Sequence, residues 1–378
     1  MRKLQLLFIS LVALSCSNDS DETEQIAETG FPFKVTVISS QSIDGTDTYT
    51  YFQNDLEKGA EDPSNPKNLN EELNLTNKFQ GVKILNEYLS FQSNNLEETY
   101  LAIKNLNTNG IDKTIAISNT ETVPDSNYTP SVTVGSKTIG FSYNSVENQW
   151  NLTSYDYKSN VIKSSAYTEN QQGLGSSTLT ISGKYLLYGY LDYDQRQDNG
   201  EPSKFIDIYE WSTLTILKTI NVSGYLFFVA DAPNLAMQKN GSFKIIDFTT
   251  NKTRYEGNNN LLIASDQFNL GTISSSKIRV NNRSTYGYIP GILNFSTGET
   301  TYFDIQNLIE SLTDLPGPTN LDIIRSEVEL QNEIAVITYQ YYTTSDEYKY
   351  GVVFVDKNAT VLANTELQNF PSFIYINK

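Results

Sequence analysis

The chain has 378 residues and a formal net charge of −17, from 27 basic and 44 acidic residues. This acidic balance argues against binding to nucleic acid, which depends on Lys and Arg at phosphates, and against adsorption to anionic lipid through a basic patch. The chain has no histidine and a single cysteine, Cys16, which excludes Ser-His-Asp and Cys-His catalysis, histidine-bound zinc or haem, intrachain disulfides and iron–sulfur clusters.

The N-terminus has the pattern of an exported lipoprotein. Two basic residues precede an apolar stretch, Leu4–Leu14, that is too short to span a bilayer and leads into Cys16. This pattern resembles the lipobox of bacterial lipoproteins, in which the cysteine is acylated and becomes the first mature residue. The usual Leu three residues before the cysteine is Ala13 here. We predict a lipoprotein signal peptide over residues 1–15 and lipidation of Cys16; the alternative is a plain secretory signal.

The next segment, residues 16–30, is acidic and is predicted to be a flexible tether. Ser17–Thr29 reads SNDSDETEQIAET and has no aromatic residue. Two or more acyl chains on one cysteine give a stable membrane anchor. Ser17 resembles the residue that sorts lipoproteins to the outer membrane, and the acidic run resembles the surface-export signals of Bacteroidetes lipoproteins. We therefore expect an outer-membrane protein, at the cell surface or on the periplasmic face.

Residues 31–378 read as a body of short β-strands separated by polar turns, because Tyr, Phe, Thr and Ile suit strands and Asn, Gly, Ser and Asp suit turns. The segments Asn54–Asn77 and Thr122–Pro130 are predicted loops, and Ile305–Leu312 is the one predicted helix. The predicted strand regions are Phe31–Ser40, Thr48–Phe52, Gly81–Phe91, Thr99–Lys104, Thr114–Ser118, Lys137–Asn144, Asn151–Tyr157, Thr178–Asp192 with a turn at Ser182-Gly183, Phe205–Ile220 as a hairpin, Gly224–Ala230, Ser242–Phe248, Lys252–Tyr255, Tyr286–Phe295, Thr300–Asp304, Ile334–Tyr342, Tyr348–Val355, Thr360–Leu362 and a closing strand, Ser372–Ile376.

Hairpins of one form recur along the body: an apolar strand, a polar turn and an outgoing strand. They are Phe243–Tyr255, Gly291–Asp304 and Gly351–Leu362, with Phe205–Ile220 as a looser fourth, and their starts lie 38, 48 and 60 residues apart (243 − 205, 291 − 243, 351 − 291). Propeller blades repeat at about 40–50 residues, so the body predicts an all-β propeller of seven or eight blades. The competing fold is two β-sandwich domains that divide near Gly173–Ser177.

One segment carries a family resemblance. Asp44–Gly59, DGTDTYTYFQNDLEKG, is similar to the first-blade segment of an uncharacterised group of Bacteroidetes propeller lipoproteins. The resemblance implies a propeller body and an outer-membrane location. Some members stand beside TonB-dependent outer-membrane receptors, which implies binding of siderophores or related ligands. No functional residue is carried over from the group.

The densest polar cluster, Leu191–Glu201, reads LDYDQRQDNGE. Its alternate carboxylates resemble a calcium loop, although Arg196 stands where an EF-hand needs a ligand. The alternatives are a solvated loop or a ligand-facing loop, since Tyr and Arg combine contact area with hydrogen bonds. The candidate metal ligands are Asp192, Asp194 and Asp198, and the candidate ligand contacts are Tyr190, Tyr193 and Arg196.

The one locally basic segment is Ser276–Arg283, SKIRVNNR. Lys277, Arg279 and Arg283 are candidate contacts for an anionic ligand, with Arg325 as a further basic residue. The alternative is a charged strand with solvent-facing Lys277 and Arg279. The remaining aromatic candidates are predicted to pack between blades or to be structural rather than to bind ligand; they are Tyr339, Tyr341, Tyr342, Trp150 and Trp211.

The favoured function is therefore ligand binding without catalysis. The predicted partners are the membrane through Cys16, an outer-membrane receptor, and a small-molecule or glycan ligand; no cofactor is expected apart from possible calcium. The alternatives are a carbohydrate-active enzyme that uses two carboxylates, of which 44 acidic residues offer many pairs, and a structural or adhesive surface protein.

Overall fold

The computed structural model describes residues 31–43, 49–57, 66–75, 81–85, 87–94, 98–118, 131–144, 149–156, 158–159, 161–166, 178–225, 227–239, 242–257, 262–263, 273–274, 276–305, 309, 321–343 and 347–377. The predicted signal peptide and tether, with Cys16, lie outside the described residues, as do the loop Thr122–Pro130 and most of Ile305–Leu312. The Ile309 amide donates to the Ile305 carbonyl at 2.9 Å, which is the bond of one helical turn. Within the described part of the chain, no helix is long and apolar enough to cross a membrane.

The described secondary structure is almost entirely β. The first half contains β1 (Val35–Ser42), β2 (Tyr49–Leu56), β3 (Lys67–Asn68), the short helix α1 (Leu69–Glu72), β4 (Gly81–Leu85), β5 (Tyr88–Asn94), β6 (Glu98–Asn105), β7 (Gly110–Ser118), β8 (Ser131–Val134), β9 (Lys137–Asn144), β10 (Gln149–Asp156), β11 (Val161–Ala166), β12 (Thr178–Ser182) and β13 (Tyr185–Arg196). The second half contains β14 (Pro202–Glu210), β15 (Thr215–Asn221), β16 (Phe227–Asp231), β17 (Asn234–Lys239), β18 (Ser242–Asp247), β19 (Lys252–Gly257), β20 (Leu262–Ile263), β21 (Lys277–Ser284), β22 (Gly287–Asn294), β23 (Glu299–Tyr302), β24 (Leu321–Glu329), β25 (Ile334–Tyr342), β26 (Tyr348–Asp356), β27 (Val361–Leu367) and β28 (Phe370–Ile376).

The described strands form seven four-stranded antiparallel sheets. Sheets 2 to 7 each use four consecutive strands, which are β4–β7, β8–β11, β12–β15, β16–β19, β20–β23 and β24–β27. Sheet 1 has the order β28-β1-β2-β3, so the last strand of the body pairs with the first. The predicted closing strand, Ser372–Ile376, is thereby confirmed, as β28 pairs with β1 over six residue pairs.

The sheets pack side by side in a closed ring. Six apolar clusters join sheets 1–2, 3–4, 4–5, 5–6, 6–7 and 7–1, and β8 contacts β4 and β5 between sheets 2 and 3. At the 7–1 junction the Phe31 ring stacks on Phe354, with centroids 3.8 Å apart. This arrangement is a β-propeller, as predicted. The alternative of two β-sandwiches is wrong, because each sheet packs against two neighbours in a ring.

Strand β14 shows how the sequence pattern specifies the packing. Its alternating residues are buried on both faces. Ile206 and Ile208 enter the cluster shared with sheet 5, whereas Tyr209 enters the cluster shared with sheet 3. The hairpin predicted over Phe205–Ile220 is therefore confirmed, and both faces of its first strand lie in a core. A polar residue can be buried in a middle strand of a blade only when it has a hydrogen-bond partner. The buried Asp207 carboxylate, for example, accepts a hydrogen bond from the Thr219 hydroxyl at 2.6 Å.

The recurring hairpins are the third and fourth strands of successive sheets. In the turns after β6, β18 and β22, a polar side chain at the end of the third strand accepts hydrogen bonds from backbone amides of the turn, and a residue of positive φ then ends the turn. An apolar residue directly after the polar one packs into the core. The polar residues are Asn105, Asp247 and Asn294, the apolar ones Leu106, Phe248 and Phe295, and the positive-φ ones Asn109, Asn251 and Gly298.

Some regions differ from the sequence prediction. The predicted loop Asn54–Asn77 contains the end of β2, β3 and α1; helix α1 is capped by the Asn68 side chain, which accepts from the amides of Asn70 and Glu71. Strand β13 continues through Arg196, so about half of the predicted loop at Leu191–Glu201 belongs to a strand. Sequence reasoning overlooked β17, NLAMQK, because its residues have low β-propensity and are held by burial between β16 and β18.

Asp55 on β2 provides a test at acidic pH. Burial alone would raise the pKa of this carboxyl, but hydrogen bonds from Gln53 and Thr36 and the charges of Lys34 and Lys67 lower it to about 2. A carboxyl with a depressed folded-state pKa stabilises the fold above its ordinary pKa and loses that contribution as pH falls through the folded value. We expect Asp55→Asn to lower the free energy of unfolding by about 2 kcal/mol at pH 6.

The measurement is urea unfolding of the parent protein and of Asp55→Asn at pH 6, 4 and 2.5. The difference between the two proteins should shrink as pH falls from about 4 towards 2. A difference that stays constant with pH would show that the amide changes packing rather than ionisation.

Candidate functional site: a cleft at the ring closure

The strands of each sheet alternate in direction, so the connections fall on two opposite faces of the ring. The turns between first and second strands and between third and fourth strands lie on one face, which we call the turn face. The connections between second and third strands, and from each sheet to the next, lie on the other, which we call the loop face. Six exposed large aromatic residues of the described chain lie at strand ends on the loop face; they are Tyr49, Tyr193, Tyr288, Tyr342, Tyr348 and Phe370.

A cleft of about 640 Å³ opens where sheets 1 and 7 meet. Its aromatic lining consists of Tyr49, Tyr51, Tyr350, Phe370 and Phe373. Its hydroxyl and amide lining consists of Ser40, Gln41, Ser42, Gln368, Asn369 and Ser372. The remaining lining residue is Arg325, and none of the described lining residues is Asp or Glu.

The pairing of the two ends of the body builds one wall of this cleft. Ser40 on β1 lies opposite Phe370 on β28, and the hydroxyls of Ser40 and Ser372 are 2.7 Å apart. The ring of Phe370 meets the ring of Tyr350 edge to face, with centroids 5.9 Å apart. Phe370 and Tyr49 each keep about two fifths of their surface exposed, so aromatic surface faces the open cleft.

Arg325 lies on β24, the first strand of sheet 7, next to a register shift between Ile323 and Arg325. A bulge of this kind re-aims the side chain that follows it. The guanidinium Nε donates to the Ser372 carbonyl at 3.1 Å and Nη1 donates to the Ile324 carbonyl at 3.3 Å. The side chain is exposed and forms no ion pair with any described residue. Among the described residues, the cleft therefore holds one oriented positive charge without an acidic partner.

Tyr51 supplies a neutral hydroxyl at the base of the cleft. Burial, together with the neighbouring Tyr49, raises the pKa of this phenol to about 12. Its ring packs edge to face on Phe91 of sheet 2, with centroids 5.1 Å apart, and its backbone amide donates to the Asn70 side chain. The hydroxyl therefore stays protonated at physiological pH and can both donate and accept a hydrogen bond.

The residues predicted at Leu191–Glu201 lie on the loop face of sheet 4 and do not line this cleft. Asp192 accepts from the backbone amides of Asp194 and Gln195 at 2.9 and 3.2 Å, so its carboxylate closes its own turn. Arg196 donates to the Gly200 carbonyl at 2.7 Å. Asp194, Asp198, Tyr193 and Arg196 are exposed. The described residues contain no cluster of three or more acidic residues placed to hold a metal ion, and calcium binding at this loop stays a sequence prediction.

The side chain of Tyr190 packs against other residues of sheet 4. Its ring stacks on Tyr188 at 5.3 Å and packs against Phe205 at 5.7 Å. Its hydroxyl donates to the buried Asp207 carboxylate at 3.4 Å. These contacts give Tyr190 a structural role in the blade.

The basic segment Ser276–Arg283 is divided between three environments. Lys277 Nζ lies 2.9 Å from Glu333 on the turn face, Arg279 is buried with Nη1 2.5 Å from Glu327 of sheet 7, and Arg283 is exposed near the loop face. The alternative of solvent-facing Lys277 and Arg279 is wrong for Arg279, because the neighbouring blade covers β21, and Lys277 is only partly exposed. The structure does not bring the three cations together.

The remaining aromatic candidates are largely structural. Tyr339 is buried in the cluster between sheets 6 and 7, as predicted, and lies over Gly351, where an added Cβ would approach its ring to 2.4 Å. Tyr342 is exposed on the loop face, where its ring packs on Tyr348. Trp211 donates its indole N–H to the Gly183 carbonyl at 3.2 Å. The side chain of Trp150 lies outside the described residues.

Sequence reasoning missed the cleft aromatics because they come from opposite ends of the body. Tyr49 and Tyr51 lie some 300 residues from Tyr350 and Phe370. The signal that could have found them was the predicted closing strand, since its pairing with the first strand places both sets at one seam.

Comparisons with known proteins support the fold. No family model matches the sequence, and no curated protein matches it. A structure of a prolyl endopeptidase superposes with a TM-score of 0.50 at 8% identity, over 91% of this chain and 49% of that chain. The propeller domain of the Trilobed protease from Pyrococcus furiosus gives 0.48 at 12% identity, over 87% and 94%. TolB from Acinetobacter baumannii gives 0.39 at 11% identity, over 90% and 65%.

The chain thus spans about half the length of the endopeptidase and 65% of TolB. At these identities a structural likeness shows the fold and nothing of the activity. The chain is an all-β protein with the β-propeller fold.

Proposed function

We propose that this protein is a lipid-anchored, seven-bladed propeller of the outer membrane that captures a small ligand or glycan and supports its uptake through an outer-membrane receptor. The cleft between sheets 1 and 7 carries the proposal. Binding sites for small molecules are concave, measure about 300–1,000 Å³ and combine apolar walls with a few oriented polar groups. The cleft has a volume of about 640 Å³, five aromatic side chains and one oriented arginine.

The chemistry of the lining favours binding over catalysis. Aromatic rings offer flat apolar surface, and the surrounding hydroxyl and amide groups both donate and accept hydrogen bonds. A two-carboxylate hydrolase needs two acids on opposite sides of its substrate. The described lining residues supply none, so the carbohydrate-active alternative finds no support at this cleft.

The cellular part of the proposal rests on the sequence. The pattern that leads to Cys16 supports a lipid anchor, the acidic segment that follows supports export to the surface, and the resemblance of Asp44–Gly59 supports association with a receptor. The loop face would present the cleft to a ligand, and the tether would give the propeller freedom to meet a receptor.

The test is a thermal-shift screen of the detergent-solubilised full chain against ferric siderophores, neutral and acidic oligosaccharides, and calcium. A ligand that binds only the folded state stabilises it by about 2.7 kcal/mol at a hundredfold excess over its dissociation constant. We expect one ligand class to raise the melting temperature and Phe370→Ala to reduce that shift.

Tyr193→Ala is the matched control, because Tyr193 is equally exposed on the loop face but lies outside the cleft. It should keep the full shift. If Phe370→Ala and Tyr193→Ala both show the thermal shift of the parent protein, the ligand binds outside the cleft. If no ligand class raises the melting temperature, the capture function is refuted in favour of an adhesive role.

A further inference from the structure

The charge in the cleft narrows the ligand class. Among the described lining residues one side chain is charged, that of Arg325, in a protein whose net charge is −17. An arginine that is held in place and lacks an acidic partner is suited to a carboxylate, which its planar fork can bind through two parallel hydrogen bonds. Because two of its N–H groups are already engaged by the carbonyls of Ser372 and Ile324, the orientation of the guanidinium is set before a ligand arrives.

A single positive charge also limits how much negative charge the ligand can bring. Ligands that carry phosphate or sulfate groups are normally bound by several cationic side chains or by backbone amides at a helix end. In this cleft one arginine would face the whole negative charge of the ligand, within the field of a strongly acidic protein. A ligand with one negative charge balances Arg325, whereas a polyanion leaves charge unpaired.

The aromatic residues specify the rest of the ligand. Phe370 and Tyr350 form an edge-to-face pair, and Tyr49 exposes about two fifths of its surface at the opposite strand end. Such surfaces hold a flat ring, whether the apolar face of a sugar or an aromatic ring. The amides of Gln41, Gln368 and Asn369 are placed around them for polar substituents.

We infer that the cleft binds a ring that carries one carboxylate, with the carboxylate on Arg325 and the ring against Phe370 and Tyr350. This inference rests on the proposed capture function. Two ligand sources share this chemistry: an acidic sugar at the end of a glycan, and a free aromatic acid.

The experiment is calorimetric titration of the detergent-solubilised full chain with two matched pairs of probes. Cellobiouronate is compared with cellobiose, and benzoate with benzyl alcohol. A charge-assisted pair favours the acid by roughly tenfold to a hundredfold in affinity. We expect that preference for at least one pair, and the pair that shows it identifies the ligand source.

Two variants of Arg325 test whether the arginine carries the preference. Arg325→Gln should lower the affinity for the acidic probe to that for its neutral partner and leave the affinity for the neutral probe unchanged. Arg325→Lys should keep part of the preference, because the charge remains and the planar fork is lost. Arg283→Gln is the control, since Arg283 is an exposed arginine outside the cleft, and it should keep the full preference. Thermal melts of each variant establish that it is folded.

Several results would overturn the inference. Equal affinity for acid and neutral probes, an unchanged preference in Arg325→Gln, or no binding of either acid would each do so. Tighter binding of glucose 6-phosphate than of cellobiouronate would refute the single-charge argument. Equal affinity for the acid and neutral probes, together with weaker binding of both to Phe370→Ala, would refute the carboxylate and leave the capture function supported, so the two failures can be told apart.

Discussion

Deleting residues 370–378 is expected to abolish the cooperative unfolding transition of the propeller. The deletion removes β28, and with it six residue pairs to β1, the buried Ile374 and the carbonyl of Ser372 that holds Arg325. Each backbone hydrogen bond contributes about 1 kcal/mol and a buried Ile about 2–5 kcal/mol. The total is comparable to the whole stability of a typical domain, about 5–15 kcal/mol.

Two point variants on β28 test how much single side chains of this strand contribute to stability. Ile374→Ala should lower the free energy of unfolding by about 2–5 kcal/mol, because Ile374 packs in the cluster that joins sheets 7 and 1. Phe370→Ala, at a more exposed position, should lower it by less than about 1 kcal/mol. Near-ultraviolet circular dichroism and urea unfolding measure both. A truncated protein that melts like the parent would show that β28 is dispensable for ring closure.

Arg279→Met is expected to lower the free energy of unfolding by about 3–5 kcal/mol, because it removes the cation that pairs with the buried Glu327 carboxylate between two blades. Arg279 is 1% exposed and Glu327 is 8% exposed, so water cannot replace the lost partner. Urea unfolding at pH 7 gives the value.

The double variant Arg279→Met/Glu327→Met separates the charge from the packing. Replacing a buried ion pair with apolar residues of similar volume is often neutral or stabilising, so the double variant should recover most of the loss. Lys349→Met breaks an exposed pair with Glu366 and should have little effect. If the single and double variants are equally unstable, the loss comes from side-chain packing and the ion pair contributes nothing specific.

The strands that the sequence predicts well are those whose pattern is local. Ile206 and Ile208 alternate with Tyr209, and the hairpins that begin at Phe243 and Gly291 have a polar residue, an apolar residue and a positive-φ residue at fixed offsets. These features identify third and fourth strands. They do not identify β17, whose residues become a strand only when neighbouring strands enclose them.

The candidate site was predicted less well, for two physical reasons. Exposure is a property of packing between blades, so the sequence predicts Arg279 as an accessible contact for an anionic ligand, although β24 covers it. Sheets 1 and 7 become neighbours only when β28 pairs with β1 and closes the ring, so the sequence does not show that Tyr49 and Tyr350 line the same cleft. The sequence identifies Arg325 as a basic residue, but it does not show the register shift in β24 or the two carbonyls that orient the guanidinium.

The closure of the ring by β28 also sets an order of events during synthesis. The hydroxyls of Ser40 and Ser372, which meet at the seam, are separated by 332 residues. At about 5–20 residues per second, synthesis of β1 is complete roughly 20–60 s before β28, its partner strand, emerges from the ribosome. During that interval the hydrogen-bonding edge of β1 is open to any other unpaired strand. The edge of β1 therefore stays open to mispairing until β28 is made, and pairing with β28 removes that risk.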